Sequence, residues 1–376
     1  MKYWIYHYID RYIGRPILFI FKFFDKILRI FKNKSYKIKK ILLIKLTMMG
    51  DTILLYPAVK ALRDTYGDCE IVVLCSKVNE KIIEQWDFID RYIVFKFDYL
   101  FKNPLLIIWQ IWNLYKERFD LAIDFEQWFR ITPIIAYLTA KLKLGFKTPK
   151  QYRHYLFDIT VPHVKKRHEV LCFCDLVEAI GVKVKDKDLY LKINEVSNKK
   201  IENFLKDNNL VEKQFVIIHP GCGVHGYYRQ WDVEKYAEVA KFISTKYVLP
   251  IVITGSRDDI KIAKKLFDLV GDKCFNLSGK TDINDLIALV SKSKFVICGN
   301  TGVMHIAVAL KVPTVAIHGP TDPEKWGPWG KNHIVIKPKV SCAPCSYLGF
   351  EYGCKERKCL KGIAIEEVID NIKKLL

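Results

Sequence analysis

The sequence GNTGVMH at residues 299–305 is the most informative stretch of the chain, because it puts two glycines and a hydroxyl between a predicted strand and a predicted helix. The apolar run at 295–298 predicts a buried strand, residues 303–310 a helix and residues 314–318 a second strand. Backbone N–H groups at a helix N-terminus can hold a phosphate, since the helix dipole favours negative charge there. An ordinary strand-to-helix turn has the same pattern, so this stretch alone leaves both interpretations open.

Elsewhere the chain alternates apolar runs with amphipathic segments, which indicates parallel sheets covered by helices. Predicted strands lie at 40–44, 70–75, 121–124, 215–219 and 249–254. A loop at 46–51 follows the first strand, and a second glycine-bearing loop follows the strand at 215–219. We therefore predict an α/β protein of two doubly wound, Rossmann-like domains that face a central cleft. The polar stretch at 194–200 is the predicted crossing between them.

The charge of the chain indicates an anionic partner. Formal net charge is +20, and residues 1–40 hold eleven Lys or Arg against two Asp. Nucleic acid is the partner that the sequence favours least, because no stacking platform or nucleic-acid module accompanies the charge. A phospholipid surface or a phosphorylated substrate remains.

Residues 17–32 predict a basic amphipathic helix. Its polar side chains recur every three or four positions, and an apolar face that includes Ile20, Phe23 and Phe24 lies opposite. No uncharged run reaches the roughly 20 residues that span a bilayer, and no signal-peptide cleavage site is apparent. We expect residues 1–38 to lie on an anionic membrane surface. The alternative is a helix that docks on the protein's own body.

Four of the eleven cysteines form a late cluster, Cys342, Cys345, Cys354 and Cys359. Four thiols within 18 residues can chelate zinc or iron in a structural site, although the spacing is not that of a standard zinc finger. Four reduced thiols are the alternative, and disulfides would not suit the reducing compartment that the chain's lack of a signal peptide predicts.

Five motifs in order resemble glycosyltransferase family 9, the lipopolysaccharide heptosyltransferases. They are Met49-Gly50-Asp51 with Pro57 and Leu62; His219-Pro220-Gly221 with Arg229-Gln230-Trp231; Gly255 with Asp259 and Ala263; Thr301-Gly302 with His305 and Pro313; and Gly319-Pro320-Thr321-Asp322-Pro323. The resemblance covers nearly the whole chain after residue 39. It implies a GT-B fold with an acceptor-binding domain at 39–195 and a nucleotide-sugar domain at 196–376, the latter carrying the cysteine segment 342–359.

The same resemblance implies an inverting, metal-independent transfer of a heptose or related sugar from an ADP-sugar to the lipopolysaccharide core. The protein would be cytoplasmic and peripheral on the inner membrane, and its partners would be the nucleotide sugar, an anionic glycolipid acceptor and the anionic membrane. No cofactor is expected for catalysis. Two alternatives stay open: a GT-B transferase that uses another nucleotide sugar for capsule or protein, and a non-catalytic membrane-associated binding protein of this fold.

Sugar transfer needs a base for the acceptor hydroxyl, and Asp51 is the candidate, with Thr47, Met49 and Gly50 in its loop. The alternative for Asp51 is an N-cap of a helix that begins at Thr52 or Ile53.

The candidate donor-binding residues follow from the resemblance and are Gly221, Arg229, Asp259, Asn300, Thr301, Gly302 and His305. Arg229 stands where the family commonly has lysine, and its alternative is a solvated surface arginine. Asp259 would contact the nucleoside, or it could be an exposed first-turn carboxylate. Asn300 replaces an aspartate common in the family, which puts heptose as the donor sugar in question. His305 could instead be a structural histidine. Cys222 is not expected to act as a nucleophile, since the mechanism forms no covalent intermediate.

Overall fold

The computed structural model describes residues 10–12, 14–28, 37–99, 102–223, 226–271, 274–348, 354 and 356–376. The chain divides into two compact units, residues 1–187 and 188–376. Within the described residues, no helix is long and apolar enough to cross a membrane.

The first unit is built on one parallel six-stranded sheet with the strand order β3-β2-β1-β4-β5-β6. Short 3₁₀ segments lie at Phe97–Tyr99 and Arg153–Leu156. Its helices and strands are α1 Gly14–Leu28, β1 Lys40–Lys45, α2 Met49–Leu54, α3 Tyr56–Thr65, β2 Glu70–Cys75, α4 Glu80–Ile83, β3 Arg91–Val94, α5 Pro104–Lys116, β4 Phe119–Asp124, α6 Ile131–Thr139, β5 Ala140–Lys147, β6 Ile159–Pro162 and α7 Glu169–Glu178.

The second unit repeats the plan with the order β12-β11-β10-β7-β8-β9, again all parallel. Short 3₁₀ segments lie at Tyr227–Arg229 and Arg257–Asp259. Its helices and strands are α8 Glu195–Asp207, β7 Val216–His219, α9 Val233–Lys246, β8 Ile251–Ile253, α10 Ile260–Val270, β9 Cys274–Asn276, α11 Ile283–Lys292, β10 Phe295–Gly299, α12 Gly302–Ala309, β11 Thr314–Ile317, α13 Pro323–Trp326, β12 His333–Ile336, α14 Lys358–Lys361 and α15 Ile365–Ile372.

The central strands explain why each unit folds this way. In β1 the residues Ile41 to Ile44 are buried and pair with β2 on one side and β4 on the other. An apolar run covered on both faces is what a parallel sheet between two helix layers requires. The chain order reverses beside β1 in the first unit and beside β7 in the second. In the first unit the loops after β1 and β4 therefore lie side by side at the position where ligands bind in such sheets, and in the second unit the loops after β7 and β10 do the same.

The single helix predicted after the 46–51 loop and the N-cap alternative for Asp51 both need correction. The helix predicted after the 46–51 loop is divided into α2 and α3 at Leu55. Asp51 lies inside the first turn of α2, and the N-cap is Met48, so the N-cap alternative for Asp51 is wrong.

Residues 194–200 form the N-cap and first turns of α8, with the Asn194 side chain accepting from the Ser197 N–H at 3.1 Å. The boundary after residue 195 stays a prediction.

The described part of the N-terminal segment packs on the first unit through one of its faces. Asp10 accepts a 2.7 Å hydrogen bond from the Arg130 backbone N–H and forms a 2.8 Å ion pair with its guanidinium. Leu18 is fully buried, and Phe19 contacts the ring of Tyr155 at 5.3 Å. The docked-helix alternative is therefore correct for this face. Ile20 and Phe23 on the other side remain exposed, and residues 29–36 lie outside the described residues.

Candidate functional site

In the first unit, Asp51 lies at the end of a network of buried charges. Its Oδ2 accepts hydrogen bonds of 3.4 Å from the Lys45 ammonium and 3.4 Å from the Gln127 amide. The side chain of Lys45 is 1% exposed, whereas that of Asp51 is 15% exposed. Asp51 is therefore the member of the network that a substrate can reach from solvent.

Two further carboxylates complete this network. Lys45 lies 3.5 Å from Glu126, and Gln127 donates to Glu169 at 2.8 Å. Glu169 in turn contacts the His163 ring nitrogen at 3.0 Å. Three carboxylates thus share one lysine and one histidine in a buried space.

The pKa of Asp51 follows from this arrangement. Burial raises the pKa to about 6, the Lys45 ammonium opposes the rise, and the charges of Glu169 and Glu126 add to it. Burial alone would lower the pKa of Lys45, but Glu126 and Asp51 outweigh it and the net pKa is raised, so Lys45 stays cationic. A carboxyl with a pKa near neutrality can both take up and release a proton at physiological pH, as general-base catalysis requires.

Glu126 also fixes the loop that carries Asp51. Its Oε1 accepts from the backbone N–H groups of Leu46 and Thr47, each at 2.7 Å, and its Oε2 accepts from the Thr47 hydroxyl at 2.8 Å. Met48 then adopts φ 60°, a conformation unusual for a residue with a side chain, and Met49 and Gly50 begin α2. The loop after β4 therefore sets where the loop after β1 presents its carboxylate.

In the second unit, Asp259 joins its own loop, which follows β8, to the loop that follows β7. Its carboxylate accepts from the Gly223 N–H at 3.0 Å, and from the Ser256 N–H at 2.9 Å and the Ser256 hydroxyl at 2.6 Å. A side chain at Gly221 would put its Cβ 2.2 Å from the Asp259 carboxyl group, so only glycine fits there. Asp259 is 5% exposed, which means that the alternative of an exposed first-turn carboxylate is wrong.

Asn300 links the loops that follow β10 and β11. Its amide donates to the Thr321 hydroxyl at 3.0 Å. The same hydroxyl lies 3.3 Å from Nδ1 of the buried His318. Burial lowers the pKa of His318 to about 4, so this histidine is neutral. The asparagine that replaces aspartate at position 300 therefore has a hydrogen-bond partner of its own, Thr321.

The carboxyl end of the second sheet also carries three other predicted site residues, Arg229, Thr301 and His305. Arg229 is half-buried at the end of a 3₁₀ segment, and among the described residues its Nε has no hydrogen-bond partner. It is not the solvated surface arginine of the alternative. Thr301 is the N-cap of α12 with no side-chain capping bond, Gly302 opens that helix, and His305 is 3% exposed on it. A polar donor and a helix N-terminus thus lie at the carboxyl ends of the strands.

The sequence profile of glycosyltransferase family 9 (heptosyltransferase) matches residues 108–358. This chain belongs to that family. Family 9 membership makes the protein a glycosyltransferase, and its two parallel six-stranded sheets are those of the GT-B fold.

Relatives of this family 9 protein match over most of its length. Lipooligosaccharide heptosyltransferase 2 of Campylobacter jejuni is 26% identical over 339 residues, which cover 88% of this chain and 96% of that one. The solved family 9 glycosyl transferase of Veillonella parvula has a TM-score of 0.76 at 22% identity, covering 92% of this chain and 99% of that one. E. coli heptosyltransferase WaaC with ADP has a TM-score of 0.69 at 16% identity, covering 90% and 100%.

The sequence of this family 9 chain pointed to Asp51 and its loop residues Thr47, Met49 and Gly50, but not to the buried network behind Asp51. Lys45 directly follows the strand predicted at 40–44, and Glu126 and Gln127 lie two and three residues after the strand predicted at 121–124. Their places at the sheet edge could therefore have been predicted from the sequence. His163 and Glu169 carry no such signal, because nothing in their spacing shows that they turn toward Gln127. His318 ends the strand predicted at 314–318, and the sequence alone assigns it no role at the site.

Proposed function

We propose that this family 9 protein transfers a heptose, or a related sugar, from an ADP-linked donor to the core of lipopolysaccharide. The transfer would invert the anomeric carbon and use no catalytic metal. The proposal is supported by the heptosyltransferase names of the relatives and by the solved WaaC structure, which contains ADP. The observation that carries the mechanism is the Asp51 carboxyl, partly exposed, with a pKa near 6.

Asp51 would act as the base for the acceptor hydroxyl. Both hydrogen bonds that the described residues donate to this carboxylate use Oδ2, so we assign the incoming proton to Oδ1. As the hydroxyl loses its proton, its oxygen attacks the anomeric carbon and the ADP diphosphate leaves with the bonding electrons. Lys45 stays charged throughout and holds the carboxylate in place.

The second unit would bind the donor. Arg229 and the N-terminus of α12, with Thr301 and Gly302, would offset the charge of the leaving diphosphate, because cations and free N–H groups stabilise it. Asp259 would keep the Gly221 loop in shape beside the nucleoside, and Asn300 and His305 would face the sugar.

A turnover assay with purified protein tests this function. ADP-heptose and a lipopolysaccharide core acceptor should give product, whereas UDP- and GDP-sugars should give at least about tenfold less. The anomeric configuration of the product tests inversion, and unchanged turnover in chelator tests metal independence. Preference for another nucleotide sugar would favour the capsule or protein alternative. Nucleotide binding with no turnover would favour a binding protein. Mass spectrometry of lipopolysaccharide from a strain lacking this protein would identify the missing sugar.

Replacement of Arg229 by alanine should weaken ADP binding by about tenfold or more, because a charge-assisted contact to the diphosphate is lost. Arg229→Lys should keep part of the ADP affinity, because lysine supplies the positive charge but not the planar, two-pronged hydrogen bonding of arginine. Calorimetric titration with ADP measures both. Lys241→Ala removes the same charge from the exposed face of α9 and is the matched control. If Arg229→Ala and Lys241→Ala bind ADP equally, Arg229 is not a diphosphate ligand.

We further propose that the protein works at the cytoplasmic face of the inner membrane. The basic N-terminal segment, with Ile20 and Phe23 exposed, supports contact with anionic lipid. An acceptor that is itself an anionic glycolipid would be concentrated at the same surface.

The late cysteines remain a proposed structural metal site. Cys342, Cys345, Cys354 and Cys359 line one pocket of about 200 Å³, which also includes Arg357. The Arg357 guanidinium donates to the Gln230 carbonyl at 2.9 Å, so this cation is held by a group that does not line the pocket. The thiol donor set suits zinc or iron. Among the described residues, however, the late cysteines do not form a group of three or more ligand atoms within 4.8 Å of one another. The group that meets this criterion consists of His163, Glu169 and Cys172. The four thiols would therefore have to turn toward a shared ion.

Anaerobically purified protein should contain close to one zinc or iron per chain if this site is real, and less than about 0.1 would contradict it. Elemental analysis is the measurement. The Cys342→Ser/Cys345→Ser variant should lose the metal, whereas Cys69→Ser, a change at a scattered cysteine of the first unit, should keep it.

A further inference from the structure

Helix α5 exposes an apolar face, which is not expected for a helix on the surface of a soluble protein. Its large apolar side chains Leu105, Ile108, Trp109, Trp112 and Tyr115, here called the α5 stripe, are 50% to 74% exposed. A surface helix ordinarily turns its apolar face to the core and its polar face to water. The spacing of three and four residues puts all five on one face of the helix.

The inward side of α5 combines one polar anchor, Gln110, with buried apolar side chains. The Gln110 amide donates to the Val94 carbonyl of β3 at 3.1 Å, and its oxygen accepts from the Lys96 N–H at 3.2 Å. Ile107 and Leu114 are the buried apolar contacts of this helix. The fold therefore uses a glutamine to attach α5 to the sheet, and packing of this unit does not account for the two exposed tryptophans.

The α5 stripe lies on the same side of the sheet as the N-terminal helix. The crossovers β3-α5-β4 and β4-α6-β5 run in the same direction, so right-handed connections put α5 and α6 on one face of the sheet. Helix α5 packs on α6, and Phe21 of α1 contacts Tyr137 of α6 at 5.6 Å between ring centroids. Helices α1 and α5 thus both pack on α6, and each keeps exposed apolar side chains.

Charge identifies the occupant of this surface. Helix α5 has no acidic residue, and the Lys116 ammonium at its C-terminal end lies 3.0 Å from the centroid of the Trp112 ring. On α1 the Lys22 ammonium lies 3.6 Å from the Tyr155 ring centroid. Tryptophan, tyrosine and lysine on an apolar face are the residues that occupy the boundary between lipid headgroups and acyl chains. A second copy of the chain fits less well, because a net charge of +20 opposes self-association.

We propose that the α5 stripe is a second lipid-binding surface, which inserts into the headgroup region of an anionic membrane beside α1. It deepens the membrane attachment proposed above and does not depend on the sugar that is transferred. Attachment through two helices on one face would fix the orientation of the first unit on the membrane.

Vesicle sedimentation of the full chain tests this proposal. Wild-type protein should bind vesicles of phosphatidylglycerol and phosphatidylcholine, and Trp109→Gln/Trp112→Gln should bind them about tenfold or more weakly. Tryptophan fluorescence of the wild type should be quenched by lipids with brominated acyl chains, and the double variant should lose most of this quenching. Val196→Gln, at an exposed apolar residue of α8, is the control and should bind as the wild type does.

The double variant should keep the wild-type melting temperature, because both side chains are exposed. It should also keep the wild-type turnover with a water-soluble acceptor. A failure of sugar transfer would therefore not imitate a failure of lipid binding. Equal vesicle binding by the double variant and the wild type would overturn the proposal. So would a lipid-free dimer in light scattering that the double variant abolishes, because the stripe would then bind a second copy.

Discussion

Replacement of Asp51 by asparagine is expected to lower kcat by about 100-fold or more, a loss of about 2.7 kcal/mol of transition-state stabilisation, with little change in donor affinity. Asparagine keeps the shape of the side chain and an oxygen that can accept from Lys45, so the α2 loop should stay in place. What it loses is the ability to take the acceptor's proton. Steady-state kinetics with saturating donor, together with ADP titration, separates these two effects.

The matched control is Asp64→Asn, which removes an exposed carboxylate of α3 that pairs with Lys60 in the same unit. It should leave kcat unchanged. If Asp51→Asn turned over at a near-normal rate, the proton would have to go elsewhere and the proposed mechanism would be wrong. Lost ADP affinity in this variant, with kcat intact, would instead place Asp51 in donor binding.

Much of the fold could be predicted from the sequence, because parallel strands covered on both faces are continuous apolar runs. The strand predicted at 70–75 is observed as β2 with those bounds, and the run at 40–44 is observed as β1 Lys40–Lys45. Glycine-bearing loops after β7 and β10 were predictable for the same reason, since glycine directly after such a run indicates a tight turn. The division of the predicted helix into α2 and α3 at Leu55 had a local signal that the prediction did not use. Pro57 lies in the first turn of α3, and a proline within a helical pattern ends or kinks the helix that precedes it.

The surroundings of Asp51 could be predicted only in part. A loop carboxylate after a strand is visible in the sequence, but its pKa depends on Lys45, Glu169 and Glu126, which lie far apart along the chain. Residue spacing contains no information about which buried side chains share a hydrogen bond. The same limit applies to the N-terminal helix, where the periodicity predicted an apolar face but not the ion pair between Asp10 and Arg130 that attaches this segment to the first unit.

Replacement of Lys45 by methionine tests whether this network sets the pH at which the enzyme works. Lys45 is the cation that opposes the burial of Asp51, so its removal should raise the pKa of Asp51 above about 6. A base must be unprotonated to act, so kcat/KM of the wild type should fall as pH decreases through about 6. In Lys45→Met the midpoint of that fall should move up by about one pH unit or more. Near pH 6 the variant should therefore lose far more activity than at pH 8.

The pH profile separates this effect from a loss of fold. Lys45→Met also leaves Glu126 buried beside Asp51 without the ammonium that they share, and breaking a buried pair costs about 3–5 kcal/mol of unfolding free energy. Instability lowers activity at every pH, whereas a raised pKa restores it as the solution becomes more alkaline. Lys40→Met removes a paired lysine from the other end of β1 and should leave the midpoint where it is. A Lys45→Met profile with the wild-type midpoint would mean that Asp51 is not the group whose titration controls turnover.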